Sequence, residues 1–309
     1  MGFFIISIIL GLYIIFKPAA DEKKSAVKLS LSSISKNISK KKGLAVLYVY
    51  GPITVEDNES LMSMGLKGSD EVVKKLNKIR KDPNIKGVVL RINSPGGSVA
   101  ACQEIYEEIK KVKESGKKVV VSMGDVAASG GYYIACPADK IFANPGTITG
   151  SIGVIAQMGN IEGLFTKIGI KSEVIKSGKY KDIGSVTREM TEEERQILQN
   201  LIDNAYDQFT KAVSQGRKTS IEKVREWATG SIFSGEQALK MGMIDELGNL
   251  QDAIKLAGKL SNLGEDPEIV KDYDFFEKLF DVLDQRLDNK LSFKAMLDKP
   301  RLRLEYMMK

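Results

Sequence analysis

From Gly43 onward, short apolar runs alternate with longer stretches in which apolar residues recur every three or four positions. An apolar run over 44–50 (LAVLYVY) precedes a helix expected from Ser69 to about Lys81; a second run covers 87–92 (GVVLRI), a helix follows near 98–114, and a third run covers 118–123 (KVVVSM). Within the second helix Val99, Cys102, Ile105, Ile109 and Val112 fall on one face, and Gly116 ends it. Strand and helix alternating at this spacing predict right-handed βαβ units and a mostly parallel sheet, an α/β fold. After Thr187 the pattern turns helical. Thr191 and Glu194 have capping-box spacing, and Ile197, Leu198, Leu201, Ile202, Ala205, Phe209 and Val213 line one face to about Gln215. Shorter helices are expected near 220–228, 234–241 and 249–261, then an amphipathic helix from Asp274 to Leu287 and a basic, extended tail to Lys309.

Ahead of this body, Gly2–Phe16 is an uncharged run (GFFIISIILGLYIIF). As a helix it measures about 22 Å, and about 28 Å if it reaches Ala20, just enough to span a bilayer core. A cleaved signal peptide is the rival, but no basic segment precedes the run, and Lys17-Pro18-Ala19-Ala20 is a poor cleavage site. The expectation is a transmembrane anchor over 1–20. Residues 21–42 carry six Ser and most of a lysine cluster without apolar periodicity, and so predict a basic flexible linker. The folded body is expected over 43–271, and a C-terminal helix and tail over 272–309.

Composition narrows the chemistry. The net charge of +6 looks like a nucleic-acid or anionic-surface signal, but eight Lys against Asp21 and Glu22 between positions 17 and 42 account for all of it. The body is neutral, which argues against nucleic acid as a partner. The chain has no histidine. That excludes Ser-His-Asp and Cys-His catalysis and any zinc site using imidazole, and leaves Lys, Asp, Glu, Tyr or an amine terminus as the base. No metal and no cofactor are expected. Cys102 and Cys136 lie in apolar stretches and are expected to be inert core thiols.

In open parallel sheets, function collects beyond the C-terminal strand ends. The loop after 87–92 is Asn93-Ser94-Pro95-Gly96-Gly97-Ser98, which reads as an oxyanion cradle, as a weak phosphate cradle lacking any GxxxxGK[ST] or GxGxxG, or as a tight strand-to-helix turn. The loop after 118–123 carries Ala128-Ser129-Gly130-Gly131, where small neighbours leave the Ser129 hydroxyl uncrowded, as an acyl-transfer nucleophile requires. The Gly130 N–H would join that of Gly96 in holding a developing oxyanion, each such donor being worth about 3–4 kcal/mol. A small-residue helix packed tightly on the sheet is the plainer reading. Without histidine, Ser129 needs a lysine or carboxylate. A lysine of ordinary pKa is neutral at pH 7 about once in 2,500 molecules, a deficit of about 4.6 kcal/mol, so it must be desolvated to serve. Lys176, Lys179 and Lys181 all lie in one loop, between an expected short strand and the long capped helix. Spacing does not select among them.

Four segments in order, RINSPGGSVA (91–100), GDVAASGGYYIACPADKIFANPGTITGSIGV (124–154), KSGKYKDIGS (176–185) and REMTEEER (188–195), make the chain closely similar to the short form of the signal peptide peptidase SppA family, serine-lysine proteases. The likeness covers about residues 44–260. It implies Ser129 as nucleophile, Lys181 as general base, Ser151 as the serine that orients the lysine, and Gly96 and Gly130 as oxyanion donors. It implies a ClpP/crotonase-like spiral of βαβ units. It also implies a single-pass cell-membrane enzyme, anchored through residues 2–20 with its catalytic domain on the extracytoplasmic side, that degrades signal peptides left after secretion. A homo-oligomeric ring is expected, an octamer being one candidate, in which neighbouring protomers supply the serine and the lysine of each site. The lysine-rich flank conflicts with that orientation under the positive-inside rule; translocation of a long domain largely regardless of charge, or a start codon set too far downstream, resolves the conflict. Two readings from other classes stand beside this one: a crotonase-type acyl-CoA enzyme using the same glycine-rich loops, and a catalytically inactive membrane scaffold.

Overall fold

A computed structural model of the protein describes residues 41–55, 68–272 and 305–307. The apolar runs form β1 (Gly43–Tyr50), β2 (Ile85–Ser94) and β4 (Lys118–Ala128), with α1 (Ser69–Lys81), β3 (Gly96–Ser98) and α2 (Val99–Glu114) between them. Then follow α3 (Gly130–Ala135), β5 (Lys140–Ala143), β6 (Ile148–Gly150), α4 (Glu162–Lys167), α5 (Glu192–Arg217), α6 (Ile221–Trp227), β7 (Ile232–Ser234), α7 (Gly235–Met241), β8 (Glu246–Leu247), α8 (Leu250–Leu260), β9 (Ile269–Asp272) and β10 (Glu305–Met307). β9 crosses the boundary expected at 271.

The sheet runs β7-β6-β4-β2-β1-β9, with β5 also on β4 and β8 on β5. Every pair in it is parallel except β6 with β7, giving an α/β fold on a mixed sheet. Alternate residues of the central strands face opposite layers. Leu47, Leu90 and Val121 join Leu76 and Ile79 of α1 and Ile105 and Ile109 of α2 in one core cluster. Leu44, Val89 and Val120 join Ala253 and Ala257 of α8 in another. Burial on both faces is why these strands read as continuous apolar runs.

The functional end of the sheet is made by a fork in β4. Its middle, Val120–Ser122, pairs with β5, and its end, Val126–Ala128, leaves that neighbour for β6. Asn93, at the end of β2, fastens the branch by accepting the Val126 N–H on Oδ1 at 3.0 Å. Beside it, β10 lies antiparallel on β3, with Tyr306 opposite Gly97 and Met307 opposite Gly96.

Three details differ from the pattern reading. β4 continues five residues past the apolar run, because its last segment is held by β6 rather than by hydrophobic spacing. The short strand expected before Lys176 is absent: residues 171–176 join no strand ladder among the described residues and are exposed, since a single extended segment has no ladder without a neighbour. On α5, Leu198, Ala205, Phe209 and Val213 are buried as expected, but Ile197 is 41% and Leu201 45% exposed, because little of this chain lies beneath the first turns of that helix. Among the described residues, no helix is long and apolar enough to cross a membrane. The expected anchor over 1–20, most of the linker and the helix over 274–287 lie outside the described residues.

Candidate active site

Ser129 stands where β4 ends and α3 begins, with φ 53° and ψ −118°. Among the described residues, four non-glycine residues have left-handed φ: Ser129, Ser151, Lys218 and Asn262. Lys218 caps α5 and Asn262 lies two residues beyond α8, so only the two serines carry the strain away from a helix C-terminus, where such backbone is ordinary. Such conformations cost about 1–3 kcal/mol and persist where the surroundings over-determine them. Here the surroundings do. The Ser129 N–H donates to the Gly150 carbonyl at 2.7 Å and the Ser129 carbonyl accepts from the Tyr133 N–H at 2.9 Å. Thr149 Oγ1 donates to the Ala127 carbonyl at 2.7 Å. Gly131 has no room for a side chain, because a Cβ there would sit 2.7 Å from the Ser94 carbonyl oxygen. The start of α3 is thereby pressed against the end of β2.

The Ser129 side chain points into this packed corner. The residue is 1% exposed, and its Oγ is buried without a hydrogen-bond partner. Ser151 follows β6, the strand paired with the end of β4, and its N–H donates to the Ser231 carbonyl at 2.7 Å. The two strained serines thus follow adjacent strand ends.

The oxyanion candidates are placed by the same packing. Gly96 has φ 107°, which a residue with a Cβ rarely adopts. Its carbonyl accepts from the Ile53 N–H at 2.8 Å, and its own N–H donates to Ser94 Oγ at 3.1 Å. The Gly130 N–H is first in α3, a position with no intrahelical acceptor.

Lys181 makes no hydrogen bond to the Ser129 hydroxyl. It is exposed, in a run of tight turns in which the N–H groups of Lys181, Ile183 and Ser185 donate to the carbonyls of Gly178, Tyr180 and Asp182. Since Ser129 Oγ has no partner, one chain does not join the serine to any lysine. The three lysines of the loop do differ. Lys176 Nζ donates to Asp182 Oδ1 at 2.5 Å and to the Lys179 carbonyl at 2.9 Å. Lys179 is ion-paired to Glu193 and lies over the Tyr180 ring; its hydrogen bond to Glu193 raises its pKa. Among the described residues the Lys181 amine has neither a carboxylate nor a carbonyl partner.

Behind the loop is an ionic network that sequence reasoning missed. Arg188 Nε donates to Asp182 Oδ2 at 2.9 Å, while its Nη1 and Nη2 donate to Glu194 Oε2 and Oε1 at 2.9 and 2.5 Å. Glu194 Oε2 also accepts from the Thr191 N–H at 3.0 Å, and Thr191 Oγ1 accepts from the Glu194 N–H at 3.2 Å, completing the capping box of α5. The Arg188 guanidinium holds the Glu194 carboxyl down at about 2, and with Lys176 holds that of Asp182 well below the carboxylate range. The signal was present in REMTEEER, where the spacing disclosed the cap but not the partner of the capping glutamate. Cys102 and Cys136 are free and buried; burial keeps both thiols protonated, Cys136 pushed up to about 12.

Residues 111–264 match peptidase family S49. A provisionally named protease from Synechocystis sp. is 48% identical to this chain over 64% of it and 72% of its own length. The chain belongs to peptidase family S49, the SppA family. A provisionally named signal peptide peptidase SppA from Enterococcus faecium is 37% identical over 74% of this chain and 66% of its own. Among solved structures, a mutant ClpP1 from Listeria monocytogenes aligns with a TM-score of 0.46 at 20% identity, over 72% of this chain and 98% of that one. Membership of S49 makes the chain a protease, and the span matched to S49 contains Ser129, Ser151 and Lys181.

Proposed function

We propose that this S49 protease is a serine endopeptidase with a Ser129–Lys181 dyad. The observation that carries the reading is the buried, unpartnered Oγ of Ser129, held on strained backbone at the tip of β4. A polar atom kept dry and unsatisfied costs stability, and such groups persist where chemistry needs them. Ser129 Oγ attacks the scissile carbonyl carbon as its proton passes to the neutral Lys181 amine. The tetrahedral oxyanion is held by the N–H groups of Gly96 and Gly130. The C–N bond then breaks, Lys181 returns the proton to the departing amine, and water, deprotonated by the same lysine, releases the acyl group. The Gly96 N–H leaves Ser94 Oγ for the oxyanion, because a charged acceptor makes the stronger bond. Ser151 orients the lysine.

The substrates are extended peptides, signal peptides left after secretion among them. Supporting this, β3 begins at Gly96 and already accepts one antiparallel strand, β10, as a peptide would add by backbone hydrogen bonds. Residues 2–20 anchor the enzyme in the cell membrane, with the protease on the extracytoplasmic side.

A lysine from a second copy completes each site in a ring. The reading is supported by the lack of a hydrogen bond between the two residues within one chain and by a run of exposed apolar side chains flanking Lys181, among them Ile161, Leu164, Ile170, Ile175 and Val186. Ser129→Ala and Lys181→Ala chains are each expected to be inactive, and equal mixing to restore activity at roughly one interface in four, the product of two independent halves in random assembly. Verified mixed oligomers that hydrolyse no peptide would rule out the shared site; substantial activity in Ser129→Ala alone would rule out the nucleophile.

A further inference from the structure

We propose that Arg188 is a positioning residue: by holding the carboxylate of Asp182, it keeps that carboxylate off the neighbouring Lys181 and leaves the lysine amine free to act. The inference rests on the reading of Lys181 as the base.

A base lysine followed directly by an aspartate is a chemical problem. An anion within about 4–6 Å favours the protonated amine, the form that cannot accept a proton. Lys181 and Asp182 lie in one tight turn, so the carboxylate is within reach unless something else takes it. Both of its oxygens are taken, Oδ1 by Lys176 and Oδ2 by Arg188, which also reaches the Asp182 carbonyl at 3.4 Å. Arg188 is in turn fixed by both oxygens of Glu194, whose side chain is only 3% exposed and whose backbone lies in the first turn of α5. A planar guanidinium donating to two carboxylates at once provides this bridge, which an ammonium does not reproduce. The charged groups around Asp182 are Lys176 from the loop and Arg188, with Glu194 behind it; Lys179 and Tyr180 are engaged by Glu193. No charged group pairs with Lys181 among the described residues. The loop thus uses two cations to occupy one anion, and the residue left over is the proposed base.

The test is the pH–rate profile of peptide hydrolysis by the assembled full-length enzyme, in wild type, Arg188→Gln, Lys176→Gln and each of these combined with Asp182→Asn. Loss of Arg188 frees Oδ2 of the carboxylate beside Lys181, leaving it held by Lys176 alone, and the alkaline rise in kcat is expected to move up by about one pH unit or more. Below that rise, activity falls about tenfold per unit, recovers at high pH, and KM changes little. Adding Asp182→Asn removes the freed carboxylate and is expected to return the rise to its wild-type position. A merely structural Arg188 would lower kcat equally at every pH and would not be rescued. The proposal is overturned if the rise stays in place in Arg188→Gln, or if Asp182→Asn fails to restore it; should Arg188→Gln not fold, the Lys176→Gln pair is judged by the same two outcomes. Failure of the underlying reading is separate and visible, because Lys181→Ala would then retain activity.

Discussion

Replacing Ser129 by Ala is expected to make the single chain more stable while removing its activity. The hydroxyl has less than 1 Å² of exposed surface and no hydrogen-bond partner, so in the free chain it contributes no bond that the substitution could break. What it carries is the cost of a desolvated, unsatisfied polar atom, about 1–3 kcal/mol. Alanine keeps the Cβ and with it the strain of φ 53°, so the strain does not enter the difference. For a folded body of this size each kcal/mol moves Tm by about 2–4 °C, which gives an expected rise of about 2–12 °C. The comparison is made by calorimetry at a dilution where sedimentation shows single chains, because in the proposed ring the lysine of a second copy would satisfy the hydroxyl and shrink the gain. An unchanged or lower Tm for dissociated Ser129→Ala would refute the reasoning: the hydroxyl would then be satisfied without a partner subunit.

Gly131→Ala adds a helix-favouring residue within α3, a change worth up to about 1 kcal/mol in an open helix. Here its Cβ would lie 2.7 Å from the Ser94 carbonyl oxygen, so a lower urea midpoint and a loss of peptide hydrolysis are expected; a gain in stability would show that the contact yields freely. Acid is expected to open the 176–188 loop. The Asp182 and Glu194 carboxyls are held low by hydrogen bonds from Arg188, so their stabilisation is complete above the unfolded value near 4 and is lost as pH falls from there through about 2. Pepsin should therefore cut this loop increasingly between about pH 4 and 2 while circular dichroism still reports a folded domain; cleavage that tracks global unfolding alone would contradict this.

Much of the fold is legible because both faces of the central sheet are buried. β1, β2 and β4 each appear as runs of aliphatic residues, α1 and α2 show clean periodicity between them, and the Thr191–Glu194 cap marks the start of α5 within a residue. What spacing cannot disclose is the part of the corner that owes its shape to pairing. The extension of β4 to Ala128 depends on β6, and the left-handed backbone of Ser151 depends on bonds from neighbouring strands that no local pattern encodes. Ser129 is legible as a serine between small residues, whereas its strain and its unsatisfied hydroxyl require the packed corner. The ionic network over Asp182, Arg188 and Glu194 is hidden for a different reason: in the sequence each residue reads as an ordinary charge, and only the turn that gathers them tells them apart.

The lysine loop shows why one chain leaves the question of the base open and why a second copy would close it. A working lysine must be desolvated, yet Lys181 is exposed, along with nearly everything from Ile155 to Lys181. The same stretch carries exposed Ile155, Leu164, Ile168 and Val174, apolar surface that an isolated chain leaves in water. On the proposed reading these are one fact. Burying that apolar surface against a neighbour would also strip water from the Lys181 amine, the desolvation a base lysine requires. Assembly would then supply both the driving force for contact and, on that reading, the water-free setting a base lysine needs, while the Ser129 hydroxyl is already dry in the single chain.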